Sequence, residues 1–455
     1  MTAMDRRTFL TTTLTGGIAA SSPFLWSAFS AYADRIEDIA IAPPPRPAEK
    51  LPQLHSPRDT LFLTWQGDPT STMTIQWLSR SETSTVIRYA SLASAAQEQS
   101  LPHPPSRETG GETPRGIAWQ KAVTRCHSFG RTDLKVHRCK LTHLRPGTEY
   151  VFQIGEHLGL YRFRTMPAKA NDLISFVSGG DCGIGPAAIA SNLTAARQDP
   201  YFVLIAGDLG YDNGTSATTA ISFIKNYSSQ MVDSQGRLIP LITCIGNHEV
   251  RGGYKGQRSD ATYYLPLFDG LYRETTYNVL DIGDYLSIVL LDSGHISPIP
   301  GEQTDWLASV LKERQDRPHL YVAYHVPAYP SVRSPQALIG LGTGELQRQH
   351  WCPLFERYRV DVALEHHDHV FKRTHPLTDG LRDRYGVPYL GDGSWGKLRT
   401  PASPEKRPYL ARVSRNYHIT LHRLEGEQRF HLALTENGKV ADVYMTQGKR
   451  PAKRG

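Results

Sequence analysis

The chain has 455 residues, 39% of them hydrophobic, with 51 Lys plus Arg against 44 Asp plus Glu and five Cys. That length and apolar fraction predict two or more folded domains, and they exclude a mainly disordered chain or a miniprotein framed by disulfides. Of the formal charge of +7, the first 33 residues carry +1 and the last seven carry +4, so the body is close to neutral and no nucleic-acid partner is indicated.

Asp5-Arg6-Arg7-Thr8-Phe9-Leu10 precedes a weakly apolar stretch rich in Thr, Gly and Ala, and then the small-residue site Ala31-Tyr32-Ala33. Residues 1–33 read as a twin-arginine export signal, which implies the twin-arginine translocase as a transient partner and a periplasmic or secreted destination. No other stretch approaches the ~18 apolar residues a spanning helix needs, so no membrane span is expected in the mature form. Residues 34–56, with Pro43-Pro44-Pro45-Arg46-Pro47, read as an extended linker.

Residues 57–167 carry an all-β pattern: Leu61, Leu63 and Trp65 alternate, then Met73, Ile75 and Trp77, then Val86 and Arg88-Tyr89. Ser91 to Arg115 is rich in Ser, Pro and Glu and reads as a loop. The segment from Leu141 through Pro146-Gly147-Thr148 to Tyr150 and Phe152 resembles a corner of an immunoglobulin or fibronectin type III-like sandwich, where a Tyr hydroxyl ties down the corner backbone. Cys126 and Cys139 flank a candidate turn at Asp133-Leu134-Lys135 and could be bridged or free; Cys182 and Cys244 are expected as buried thiols.

From residue 172 to 445 the texture changes to short apolar runs separated by helix-length segments, an α/β pattern. Six runs are predicted as strands: Leu173–Ser178, Tyr201–Ala206, Leu238–Ile245, Tyr285–Leu291, Leu320–Tyr324 and Val360–Leu364. Their continuous apolarity suits strands covered on both faces. Tyr417 onward alternates and predicts antiparallel hairpins, and 446–455 is a basic tail.

Five of the six runs lead into polar metal-ligand types: Gly180-Asp181-Cys182-Gly183, Gly207-Asp208 with Tyr211, Gly246-Asn247-His248-Glu249, His325, and Glu365-His366-His367-Asp368-His369. Each alone is an ordinary turn or a lone histidine. Because open α/β sheets collect ligands outside the carboxyl ends of their strands, the set can converge on one site. Carboxylate, phenolate, amide oxygen and imidazole suit iron, zinc or manganese, and a pair of such cations suits hydrolysis of phosphate esters.

The ordered set Asp-x-Gly, Gly-Asp-x-x-Tyr, Gly-Asn-His-Glu, Val-x-x-His and His-x-His resembles that of the purple acid phosphatases, within the binuclear metallophosphoesterase superfamily. The resemblance implies a two-sheet βαβαβ metallophosphoesterase sandwich flanked by helices and preceded by the β-sandwich. It implies that Asp181, Tyr211 and His369 bind iron(III), that Asn247, His325 and His367 bind a divalent iron, zinc or manganese, and that Asp208 bridges them. His248 is then left to protonate the leaving alkoxide while a metal-bound hydroxide attacks a phosphorylated small molecule. Gly183 replaces a His common among other branches, and Tyr211 replaces a non-ligand; the pair favours iron(III).

Two features depart from the family pattern. His366 stands where the family has Gly, so either the turn accommodates a side chain or His366 adds a donor at the rim. The family's histidines after Val-x-x-His are missing from Pro327 to Arg333, which leaves Asn247, His248, His295 and Arg333, with Tyr329, as candidate substrate contacts, Arg333 being expected on an exposed loop. The function expected is an exported acid phosphatase acting on monoesters. The alternatives are a phosphodiesterase using the same centre, or a surface- or polymer-binding protein with a degenerate catalytic domain.

Overall fold

The computed structural model describes residues 50–92, 118–155, 159–170, 174–337, 340–391 and 393–448. The expected signal at 1–33, most of the linker, most of the Ser91–Arg115 loop and the tail from 449 lie outside the described residues.

The N-terminal strands are β1 (Phe62–Thr64), β2 (Met73–Ser79), β3 (Val86–Ser91), β4 (Gln120–Val123), β5 (Arg125–Ser128), β6 (Lys135–Leu141), β7 (Glu149–Ile154) and β8 (Tyr161–Arg164). They form two antiparallel sheets, ordered β1-β2-β6-β5 and β4-β3-β7-β8. The alternating apolar residues Leu63, Ile75, Trp77, Ile87 and Phe152 meet between the sheets and are fully buried. At the corner the Arg145 N–H donates to the Tyr150 hydroxyl at 2.8 Å, the contact expected of this sandwich type. β5 and β6 pair across the candidate turn, but their register sets Cys126 opposite His137, and both Cys126 and Cys139 are free thiols.

The second unit contains β9 (Ile174–Gly179), β10 (Val203–Ala206), β11 (Leu241–Cys244), β12 (Asn278–Ile282), β13 (Leu286–Leu290), β14 (His319–Ala323), β15 (Val362–Glu365), β16 (Phe371–Thr374), the short pair β17 (Leu377–Thr378) and β18 (Leu381–Arg382), β19 (Tyr389–Gly391), β20 (Leu410–Ser414), β21 (His418–Glu425), β22 (Gln428–Thr435) and β23 (Val440–Gln447). The six apolar runs divide evenly between two sheets. β11-β10-β9 run parallel and are extended by the antiparallel β21-β22-β23. β13-β14-β15 run parallel within the order β12-β13-β14-β15-β19-β16-β20. β11 starts later than its apolar run because the Leu238 N–H is donated to the Arg162 carbonyl of the sandwich (2.8 Å) and Pro240 has no N–H to give.

Helices α1 (Pro186–Ala196) and α2 (Ala217–Gln230) follow β9 and β10. Pro at the first turn of α1 and the Ser216 hydroxyl, which accepts the Thr219 N–H at 3.1 Å, set their starts close to the strand ends. The two sheets meet where Phe176 sits edge-on to Tyr321, 5.4 Å between centroids. The sandwich core continues into this unit through Trp65 against Phe202 and Phe62 against Phe268. Among the described residues no helix is long and apolar enough to cross a membrane.

Candidate metal centre

The carboxyl ends of β9, β10 and β11 from one sheet and of β14 and β15 from the other point into one crevice, so five turns bring their side chains together. Asp181, Asp208, His367 and His369 all adopt left-handed backbone conformations, with φ of 58°, 56°, 77° and 61°. Non-glycine residues rarely adopt such φ, and its concentration at these turns marks a place where surrounding packing over-determines the backbone.

Two sets of donor atoms emerge. In the first, Tyr211 Oη lies 3.1 Å from Asp181 Oδ1 and 3.2 Å from His369 Nε2, which is itself 2.9 Å from Asp181 Oδ1. In the second, His325 Nε2 lies 3.1 Å from Asn247 Oδ1, 3.1 Å from His367 Nδ1 and 3.3 Å from Asp208 Oδ2. Metal–ligand bonds of about 2.1 Å at right angles put neighbouring donors about 3.0 Å apart, which is the spacing found. Atoms of Asp181, Asp208, His325 and His367 lie within 4.8 Å of one another, so the two sets adjoin.

The donor chemistry fits cations. His325 Nδ1 faces the Ala206 carbonyl at 3.0 Å and donates to it, so in the neutral ring Nε2 is a lone pair aimed at Asn247 Oδ1 and Asp208 Oδ2. Asp208 Oδ2 is buried without a hydrogen-bond partner. Converging lone pairs repel unless a proton or a cation lies between them. Burial disfavours charge on His325, yet the Asp208 and Asp181 carboxylates overcome it and raise its pKa to about 9. Burial, then the facing Asp181 carboxylate, pushes the Tyr211 phenol well above its usual value, so a strong Lewis acid is needed to draw out the phenolate.

A second layer of residues holds the ligands. Glu249 Oε2 accepts N–H groups from Asp208 and Gly246, each at 2.8 Å, and Oε1 accepts that of Leu209 at 2.8 Å, tying the β10 turn to the β11 turn. Burial, with Asp208 close by, lifts its pKa to about 8. The Tyr254 hydroxyl stands 3.3 Å from His367 Nε2, leaving Nδ1 of that ring for the centre. No local pattern in the sequence gives Glu249, within its Gly-Asn-His-Glu motif, or Tyr254 this role.

His248 lies apart from the two donor sets, with Nε2 3.9 Å from Asp208 Oδ2, its ring 4.3 Å from that of Tyr211, and 23% of its side chain exposed. Burial lowers its pKa, against the pull of Asp208.

Two expected substrate contacts are corrected. His295 is fully buried behind His325, with Nδ1 2.9 Å from the Gly253 carbonyl and Nε2 3.0 Å from the Ser293 hydroxyl, so its polar atoms are engaged away from the mouth. Arg333 is buried rather than exposed: its Nη1 donates to Asp368 Oδ1 (2.8 Å) and to the His367 carbonyl (2.6 Å), so the guanidinium braces the His367–His369 turn. Tyr329 is buried as well. His366 is no rim donor, because its Nδ1 meets the Tyr324 carbonyl at 3.0 Å and its ring fills the space beside Gly180, where a Cβ would approach to 2.6 Å. Its own φ is not in the left-handed region, so the turn accepts the side chain. Beside Gly183, the place of a larger side chain is taken by the ring of Tyr211 and by Lys397.

Two family models match the chain: purple acid phosphatase, N-terminal domain, over residues 59–165, and calcineurin-like phosphoesterase over residues 176–371. Purple acid phosphatase 21 of Arabidopsis thaliana is 26% identical over 292 residues, 60% of this chain and 61% of that protein. An uncharacterized protein of Mycobacterium tuberculosis is 30% identical over 290 residues, 55% of this chain and 53% of its own length. The chain therefore spans little more than half the length of these two relatives. Acid phosphatase type 7 of Mus musculus is 24% identical over 437 residues, 89% of this chain and 93% of that protein. The fold is shared with a purple acid phosphatase from yellow lupin seeds, at a TM-score of 0.66 and 16% identity, covering 85% of this chain and 74% of that one. With a β-sandwich matching the family's N-terminal domain, a phosphoesterase unit behind it and a tyrosine within the first donor set, the chain belongs to the purple acid phosphatase family.

Proposed function

We propose that this protein hydrolyses phosphate monoesters under acid conditions, using iron(III) at Asp181, Tyr211 and His369 and a divalent iron, zinc or manganese at Asn247, His325 and His367, with Asp208 between them. The observation that carries this reading is the pair of adjoining donor sets, with His325 Nε2 of the second set 3.3 Å from the buried Asp208 Oδ2 and with Asp181, Asp208, His325 and His367 within 4.8 Å of one another. Two cations bound there would supply positive charge to the transferring phosphoryl group and make water acidic enough to act as a nucleophile.

The chain's own residues do the rest. Asn247 and His248 lie side by side at the end of β11, so one turn offers an amide to the centre and an imidazole to the leaving group. His248 holds the proton that passes to the departing alkoxide. Because burial lowers its pKa, the protonated form is populated on the acid side of neutrality, as an acid phosphatase requires.

A panel of monoesters and diesters assayed across pH, together with metal content, tests the reading. Two metal ions per chain and monoesterase activity with an acid optimum are expected. His248→Ala should keep both metals and slow poor leaving groups by about a hundredfold or more while sparing good ones. Equal loss on both would remove the role given to His248, and a protein with fewer than two metals and no monoesterase activity would overturn the whole.

Export belongs to the same proposal and is supported by Arg6-Arg7 ahead of a weakly apolar stretch and Ala31-Tyr32-Ala33. Changing both arginines to lysine should trap the phosphatase activity in the cytoplasm; unchanged export would refute the twin-arginine route.

A further inference from the structure

The burial of Arg333 and His295 removes both as candidate substrate contacts at the mouth of the centre. The side chains that reach the opening are Tyr211 and His248, with His369 at 11% side-chain exposure, whereas Asp181, Asp208, His325 and His367 are shut in. A lysine stands beside Tyr211 on that side. Lys397 Nζ lies 4.2 Å from the ring centroid of Tyr211, and its Cε lies 3.4 Å from where a Cβ on Gly183 would be.

The segment that carries Lys397 is fastened to the ligand turns. Gly393 packs so closely on Asp181 that a Cβ would come within 1.6 Å of Oδ2, and Gly396 packs on the Cys182 carbonyl, where a Cβ would come within 1.9 Å. Trp395 is fully buried; its N–H donates to the Gly180 carbonyl (3.2 Å) and its indole Nε1–H to Asn192 Oδ1 of α1 (2.8 Å). The Gly396 N–H donates to the Asp181 carbonyl (3.0 Å), and the Arg399 N–H to the His369 carbonyl (2.9 Å). The backbone on both sides of Lys397 is thus bonded to two residues of the first donor set. Among the described residues no carboxylate is paired with its ammonium. A half-buried lysine held over an aromatic ligand and left without a counter-ion has a place for an anion in front of it.

We infer that Lys397 is a substrate-binding residue of this centre, pairing with the phosphoryl oxygens of a phosphate monoester and favouring that dianion over a singly charged diester. The inference rests on the phosphoesterase reading above. An ammonium gains more from two negative charges than from one, so Coulomb attraction at a partly desolvated site gives the preference at pH values above the monoester's second pKa of about 6, where the comparison of the two substrates is made.

The test uses the metal-loaded full-length protein, with inorganic phosphate followed by calorimetry as the probe and steady-state kinetics on one monoester and one diester. Lys397→Met should weaken phosphate binding about tenfold and raise KM for the monoester by a similar factor, with kcat changed less and the diester nearly unaffected. Lys397→Arg, which keeps the cation, should recover most of both losses, and it also shows that the position tolerates change. Unaltered phosphate affinity in Lys397→Met, or equal losses on monoester and diester without recovery in Lys397→Arg, overturns the inference while the phosphoesterase reading stands. A wild-type protein that neither binds phosphate nor cleaves the monoester overturns both.

Discussion

His325 and His367 face each other across 3.1 Å at the candidate centre, and His422 and His431 face each other across 2.8 Å between the two sheets. All four rings are buried, and both pairs lie at strand or turn positions of the same unit. Their electrostatic surroundings are opposite. Burial disfavours charge on His325, but the Asp208 and Asp181 carboxylates turned toward it raise its pKa to about 9. Around His422 stand Ser178, Phe176, Tyr321 and His431, none of them acidic, and burial alone drives its pKa down to about 3. Ser178 Oγ sits 2.7 Å from His422 Nε2, and one proton shared between the two Nδ1 atoms completes a neutral hydrogen-bonded pair. Proximity of buried imidazoles therefore does not make a metal site. Carboxylates that leave a lone pair unanswered do.

The largest effect expected from this contrast comes from removing its carboxylate. Asp208→Ala should lose at least one metal ion per chain and lower the rate by about a thousandfold or more. Retention of both metals with near-normal activity would break the contrast, because the histidines would then suffice. A smaller effect is expected at the other pair. His422→Phe should leave metal content and kcat unchanged and cost about 1–3 kcal/mol of stability near pH 7 through the lost hydrogen bonds.

That variant should also change the response to acid. The unfolded chain protonates His422 near pH 6.5, whereas the folded chain holds it neutral down to about pH 3. Stability is therefore lost as pH falls through that window, by about 1.4 kcal/mol per pH unit for this histidine. The Phe variant should unfold with a shallower pH slope between about pH 6 and 4, measured by denaturant midpoints. Identical slopes would show that the fold does not hold His422 neutral.

The parts of the site legible in the sequence were those where a strand and its ligand are adjacent in the chain. Asp181 follows β9, Asp208 follows β10, Asn247 follows β11, and an apolar run ending in Gly-Asp or in Gly-Asn-His marks each without any knowledge of packing. The same locality made the Tyr150 corner readable, because its hydroxyl reaches only to Arg145. The division of the parallel strands into two sheets was not visible in their apolar runs, since a strand covered on both faces looks alike in either sheet. β23 leaves no clear pattern in the sequence, because it lies at a sheet edge with Val440, Val443 and Met445 exposed and burial imposes little alternation on it.

Residue types at the strand ends, their order and the alternation of the N-terminal strands were determined by the sequence alone, and with them the family and the donor chemistry. Which side chains remain free for substrate was decided only by the tertiary structure. Arg333 is committed to Asp368, 35 positions away, His295 to the Gly253 carbonyl, 42 away, and His366 to the Tyr324 carbonyl, 42 away. Lys397 reaches the mouth because glycines at 393 and 396 let its segment lie against Asp181 and Cys182. The physical reason is the same in each case. A charged or polar side chain is spent on whichever buried partner the packing brings within about 3 Å, and chain separation does not reveal that partner.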